Sequence, residues 1–167
     1  MPMTAHDRAR AFKGLIVWLL VTFVAAGIGS AASMRAGDFY QQLVRPGWAP
    51  PADVFGPVWT VLYVLMAIAA WLVWRRAGSF AAARTALTLY LAQLVVNALW
   101  SWLFFGWHMG GAALADLVLM WVLVGATVMA FWQIRPLAGA LLLPYWAWVT
   151  FAGALNYATW QLNPQLL

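Results

Sequence analysis

The chain has 167 residues and a net charge of +5, and it is 66% hydrophobic with only 8% charged residues, about a third of the usual share in a soluble domain. At a mean hydropathy of +0.82, water is not the solvent for most of this surface. The lack of cysteine excludes disulfides, thiolate metal sites and cysteine catalysis. The basic excess does not point to nucleic acid, because nine Lys and Arg are few and sit between apolar stretches. They suit topology determinants and contacts with lipid headgroups.

The first apolar stretch covers about residues 14–33, behind a basic segment at 6–13. Basic residues, an apolar run over 15–28 and small residues at Gly29-Ser30-Ala31-Ala32-Ser33 are also the plan of a secretory signal peptide. Next comes a long polar, Pro-rich stretch, 34–56, containing Asp38, Arg45, Pro46, Pro50, Pro51 and Asp53. A loop of that length in so short a chain is usually functional. Apolar stretches follow at about 57–74, 85–105, 111–133 and 137–161. They are separated by polar turns at Arg75–Arg84, Gly106–Gly111 and Gln133–Pro136.

Each stretch reaches about 27–37 Å as a helix, enough to cross a hydrocarbon core of about 30 Å, and all are too long for barrel strands. The expected fold is all-α: one integral membrane domain over 1–167, with five transmembrane helices and a long Pro- and Trp-containing loop between the first two. Seven basic residues (Arg8, Arg10, Lys13, Arg75, Arg76, Arg84, Arg135) fall on the N-terminal side, against Arg35 and Arg45 on the other. The positive-inside rule then puts the N-terminus in the cytoplasm of a bacterial cell, with an outer membrane as the alternative host.

Polar groups within a span are costly and need a partner or a purpose. Gln93, Asn97 and Ser101 recur every four residues on the third helix, beside Trp100. That stripe reads as helix–helix hydrogen bonding or as a ligand wall. Asp116 is the only carboxylate within an apolar span, and it reads as a proton relay, a ligand-pairing charge or a protonated interfacial acid. The histidines, His6 and His108, lie at opposite ends of the apolar pattern, so neither a metal cluster nor a catalytic base is expected. Small residues at Ala25 and Gly29, and at Gly106 and Gly110, allow close helix packing.

Thirteen tryptophans are the dominant signal. Trp18, Trp71, Trp74, Trp107 and Trp132 suit interfacial belts. Trp48 in the Pro-rich loop, Trp59 at the start of the second helix, Trp100, and Trp146 and Trp148 opening the fifth suit a cavity for a flat, largely apolar ligand.

The run Tyr40-Gln41-Gln42-Leu43-Val44-Arg45-Pro46-Gly47-Trp48-Ala49-Pro50-Pro51 resembles the first loop of the tryptophan-rich sensory protein family, which includes the mitochondrial translocator protein, or peripheral benzodiazepine receptor. The resemblance continues through Phe55-Gly56-Pro57-Val58-Trp59-Thr60-Val61-Leu62-Tyr63, Gln93 to Ser101, Phe104-Phe105-Gly106, Pro144 to Trp148 and Ala152 to Tyr157. It implies a five-helix bundle, often a homodimer, that binds protoporphyrin IX, haem and isoquinoline-carboxamide or benzodiazepine-type compounds under the first loop. On that resemblance Trp59 and Trp148 are paired pocket indoles, and Tyr40 and Trp48 belong to the roof. Gln93, Asn97 and Trp100 form the third-helix wall, and Ala152 is the small residue against which ligand packs. No metal or obligatory cofactor is implied, and porphyrin or haem is the ligand. The sterol motif is incomplete, because no Lys or Arg follows Tyr157 through Leu162.

Three functions are compatible with this pattern. The first is a receptor or sensor that takes up tetrapyrroles and regulates their level or passage. The second is a transporter of porphyrin or other lipophilic molecules, although no inverted repeat is visible. The third is an enzyme that degrades porphyrin with light and oxygen, using pocket indoles as electron donors.

Overall fold

The computed structural model describes residues 5–34 and 36–167, so Arg35, counted above on the loop side, lies outside the described residues. Among the described residues, five helices are long and apolar enough to span a membrane. They belong to α1 (Ala5–Ala32), α3 (Phe55–Ala77), α4 (Arg84–Ser101), α5 (Gly110–Ile134) and α6 (Pro136–Leu162). The short α2 (Ala36–Gln42) lies in the long loop. The expected all-α membrane bundle is the observed one.

Local chemistry explains the helix ends. Gly78 takes a left-handed conformation (φ 82°), and its N–H closes α3 on the Trp74 carbonyl. A single extended residue, Arg135, separates α5 from α6, and Pro136 starts α6 with its fixed φ and missing donor.

Three boundaries differ from the expectation. The loop 34–56 is not unstructured, since it holds α2 and a 3₁₀ turn, Ala52–Val54, that leads into α3 at Phe55. The third span is not a uniform helix over 85–105: beyond Ser101 it widens into a π turn, Trp102–Gly106, where Trp107 N–H bonds Trp102 O at 2.7 Å. Trp146 and Trp148 stand in the middle of α6, not at its start.

The spans pack in a closed ring: α1 on α3, α3 on α6, α6 on α5, α5 on α4 and α4 on α1. Apolar side chains point outward as well as inward, as a lipid solvent allows; Val17, Leu20 and Val24 on α1 and Val118 and Val122 on α5 are exposed. With no hydrophobic drive between helices, close contact must hold the ring, and tryptophan rings laid on glycines supply much of it. A Cβ added at Gly14 would fall 2.2 Å from the Trp74 ring, at Gly125 2.9 Å from Trp146, and at Gly139 2.7 Å from Trp132. Gly110 and Gly111 leave the same room for Trp160, at 2.8 and 2.9 Å.

Trp18 corrects the belt assignment. It is buried, only 6% exposed, with its ring edge-on to Tyr90. The interior around Tyr90, Leu87, Phe131 and Met66 is solidly packed, and the open spaces of the bundle lie along α1.

Candidate ligand-binding site

A cavity of about 570 Å³ opens between the loop-side halves of α1 and α3. Its α1 wall is made of small residues, Ala26, Gly27, Gly29, Ser30 and Ser33, so α1 passes α3 without filling the space between them. A Cβ at Gly27 would meet nothing within 4 Å, whereas one at Gly29 would press on Ser101 Oγ at 3.2 Å. Gly29, Ser30 and Ser33 belong to the run that also fits a cleavage site, and Gly29 to a packing motif; in the fold they line a cavity. Gly27 and Ser30 on α1 and Gly56 and Thr60 on α3 are exposed, so the cavity opens sideways toward the surrounding membrane.

The inner wall is a partition of five aromatic rings: Tyr40, Phe55, Trp59, Trp100 and Phe105. Behind it, against α6, lies a small void of about 30 Å³, bordered by Trp148, Ala152, Asn156 and Thr159. The rings brace one another. Tyr40 is edge-on to Phe55 at 5.5 Å, Phe55 to Trp148 at 6.0 Å, and Trp59 stacks on Tyr63 at 5.5 Å. The π turn inserts an extra residue near Trp100, and Phe105 of that turn meets Trp100 edge-on at 5.8 Å.

Two polar systems flank the partition. In the first, Tyr63 Oη donates to Asn97 Oδ1 (2.7 Å), Asn97 Nδ2 to Tyr145 Oη (2.9 Å), and Tyr145 Oη to Gln93 Oε1 (2.8 Å). This directed chain ties α3, α4 and α6 together and accounts for the buried amides. In the second, Trp100 Nε1 donates to Asn156 Oδ1 (3.1 Å), and Asn156 Nδ2 to Gly110 O (3.0 Å). At the small void the accounting is incomplete. Trp148 Nε1 and Thr159 Oγ1 are buried with no hydrogen-bond partner among the described residues. A buried donor left unpaired costs about 1–3 kcal/mol, and any polar group seated in the void, a water molecule included, would recover it.

The roof is pinned at both ends. Tyr40 is buried and donates from Oη to Pro50 O at 3.1 Å, with the Arg45 guanidinium 4.9 Å from its ring. Burial raises the Tyr40 phenol above its ordinary value, and Arg45 opposes that shift. Asn163, just past α6, bonds both the N–H and the carbonyl of Val44 at 2.8 Å, clamping the loop to the end of the bundle.

The expected site residues thus separate. Trp59, Trp100 and Tyr40 border both compartments, Asn97 borders the larger, and Trp148 and Ala152 border the smaller. Gln93 borders neither and serves the hydrogen-bonded chain. Trp48 also borders neither; half exposed, it packs edge-on against Phe151, which in turn packs on Trp148 at 5.2 Å. Asp116 lies outside both compartments, with Oδ2 buried and unpartnered among the described residues. Sequence reasoning missed Tyr63, Phe55 and Phe105 as wall residues, although all three fall within the aromatic motifs. Nothing local distinguishes the glycines and serines of α1 as lining a cavity.

Comparison with known proteins agrees with this architecture. The chain is 41% identical over 119 residues to a tryptophan-rich sensory protein of Cereibacter sphaeroides, covering 70% of this chain and 73% of that one. It is 40% identical over 146 residues to protein CrtK of Rhodobacter capsulatus, covering 86% and 91% respectively. With the human translocator protein it shares 44% identity over 126 residues, 75% of each chain. The TspO/MBR family model matches residues 16–161, from about three turns into α1 to the end of α6. A five-helix membrane bundle with an aromatic partition under a clamped loop, matched over nearly its whole length, belongs to the TspO/MBR family.

Proposed function

We propose that the protein is a membrane receptor or sensor for tetrapyrroles such as protoporphyrin IX and haem. Its cavity also suits flat aromatic compounds of the isoquinoline-carboxamide and benzodiazepine type, and occupancy regulates porphyrin level or passage. The observation that carries this reading is the side-opening cavity of about 570 Å³ backed by five aromatic rings. Its volume is in the range of small-molecule sites, and stacked rings bind a planar π-system by dispersion and burial. The sideways opening between α1 and α3 lets a lipophilic ligand arrive from the membrane. Names borne by the relatives, sensory protein and translocator protein, support the same reading. Seven basic residues gathered at the N-terminal end of the bundle support a cytoplasmic N-terminus in a bacterial inner membrane. The absence of Lys or Arg from 158–162 speaks against sterol binding through the Tyr157 segment.

Quenching of tryptophan fluorescence by added protoporphyrin tests the site. Trp59→Phe removes an indole common to both compartments and weakens binding about tenfold, whereas Trp148→Phe weakens it about threefold. Equal affinity in wild type, both single variants and the double variant overturns the assignment.

A further inference from the structure

A second cavity, of about 660 Å³, lies at the opposite end of the bundle along α1. Its rim is basic. His6, Arg10 and Lys13 follow one another at spacings of four and three residues, which puts them on one face of the helix. Deeper in, the lining turns apolar, with Val17, Trp18 and Val21 on α1 facing Leu91 of α4. From Lys13 to Val21 this channel descends about 12 Å toward the middle of the bilayer. Val17 is 54% exposed, and Phe80, at the mouth, is 40% exposed, so the channel is open to its surroundings along its length.

The rim is built in place. Arg10 donates from Nη2 to the Gly78 carbonyl, and its guanidinium lies 5.7 Å from the centre of the Trp74 ring. Gly14, one turn further along α1, admits that ring against the helix, where any Cβ would collide with it. A guanidinium has five donors, more than one carbonyl can use. Among the described residues, no acidic side chain lines the cavity. Asp7 borders a separate recess of about 260 Å³, together with Arg10 and Arg75.

A fixed cation at headgroup level, a second one beside it and an apolar channel beneath match one class of molecule. We propose that this groove binds an anionic glycerophospholipid, its phosphate against Arg10 and Lys13 and one acyl chain lying along α1 toward Leu91. Free phosphate would leave the apolar channel unused. A neutral lipid would leave the basic rim unpaired. Basic pockets between spanning helices are known sites for anionic headgroups.

The test is native mass spectrometry of the protein released from nanodiscs of mixed phosphatidylcholine and phosphatidylglycerol. Wild type retains one phosphatidylglycerol per chain in preference to phosphatidylcholine. Lys13→Gln, at an exposed position, lowers that occupancy about fivefold, and Arg10→Gln with Lys13→Gln lowers it at least about tenfold. The charge-matched pair Arg76→Gln with Arg84→Gln, outside the groove, changes it less than about twofold. The proposal is overturned by equal losses from the two pairs, which would mean a diffuse field. Equal retention of phosphatidylcholine, or displacement of the lipid by inorganic phosphate or protoporphyrin, overturns it as well.

Discussion

The two large cavities share a wall and differ in almost everything else. Both run along α1, whose apolar core is 17% buried against 28–39% in the other spans. At the loop end α1 offers glycine, alanine and serine, and aromatic rings from α3, α4 and the π turn face them. At the other end α1 offers cations above valines, and a tryptophan pressed onto Gly14 closes the gap. A loosely packed helix creates room wherever its side chains are short or its neighbours stop. The chemistry of each room is then set by what the neighbours supply, stacking surface in one and charge in the other.

The sharpest way to break this comparison is at the wall between α4 and α6. Tyr145→Phe removes the acceptor of Asn97 Nδ2 and the donor of Gln93 Oε1, leaving two buried amides short of partners. Stability should fall by about 2–4 kcal/mol, read from denaturation in mixed micelles. A loss below about 1 kcal/mol would show that the hydrogen-bonded chain does not hold the partition.

Gly27→Trp separates the two cavities directly. Its Cβ enters open space, so the fold should tolerate it while the indole fills the loop-side cavity. Protoporphyrin affinity should drop about thirtyfold, with phosphatidylglycerol retention unchanged. Loss of both would mean that α1 responds as a unit and that the cavities are coupled.

A smaller effect is expected at the roof. Tyr40→Phe deletes one hydrogen bond to Pro50 O and should cost about 1 kcal/mol or less. In wild type the raised phenol gives the same contact a pH limit. The unfolded phenol ionises first, so its contribution is complete below about pH 10 and is lost as pH rises through the higher folded value. Melting curves of wild type and Tyr40→Phe should therefore converge in strong alkali. Curves that stay parallel would remove Tyr40 from the roof's energetics.

Much of the architecture was legible in the residues themselves. Five spans follow from the apolar runs, because a bilayer leaves the backbone no alternative to helices of sufficient length. Polar Gln93 and Asn97 within one of those runs required partners, since lipid cannot satisfy an amide, but left a helix–helix network and a ligand wall both open. The aromatic motifs pointed to Trp59, Trp100, Trp148 and Tyr40, which border the two compartments of the loop-side site.

What sequence could not supply was partnership. Trp18 and Trp132 both suit an interfacial belt in the sequence, yet one is buried beside Tyr90 and the other covers Gly139 from the bundle's surface. Division into belt and pocket tryptophans also left out a third group, the rings of Trp74, Trp146, Trp132 and Trp160 laid on glycines of other helices. Likewise Gln93 and Asn97 share a helical stripe and the same partner, Tyr145 of α6, but only Asn97, one turn nearer the loop, borders the cavity. Hydropathy determines which segments enter the membrane, since that depends on each segment's own transfer from water. Which side chain meets a neighbour, a cavity or lipid depends on the order of helices around the ring, and only the tertiary structure decides that.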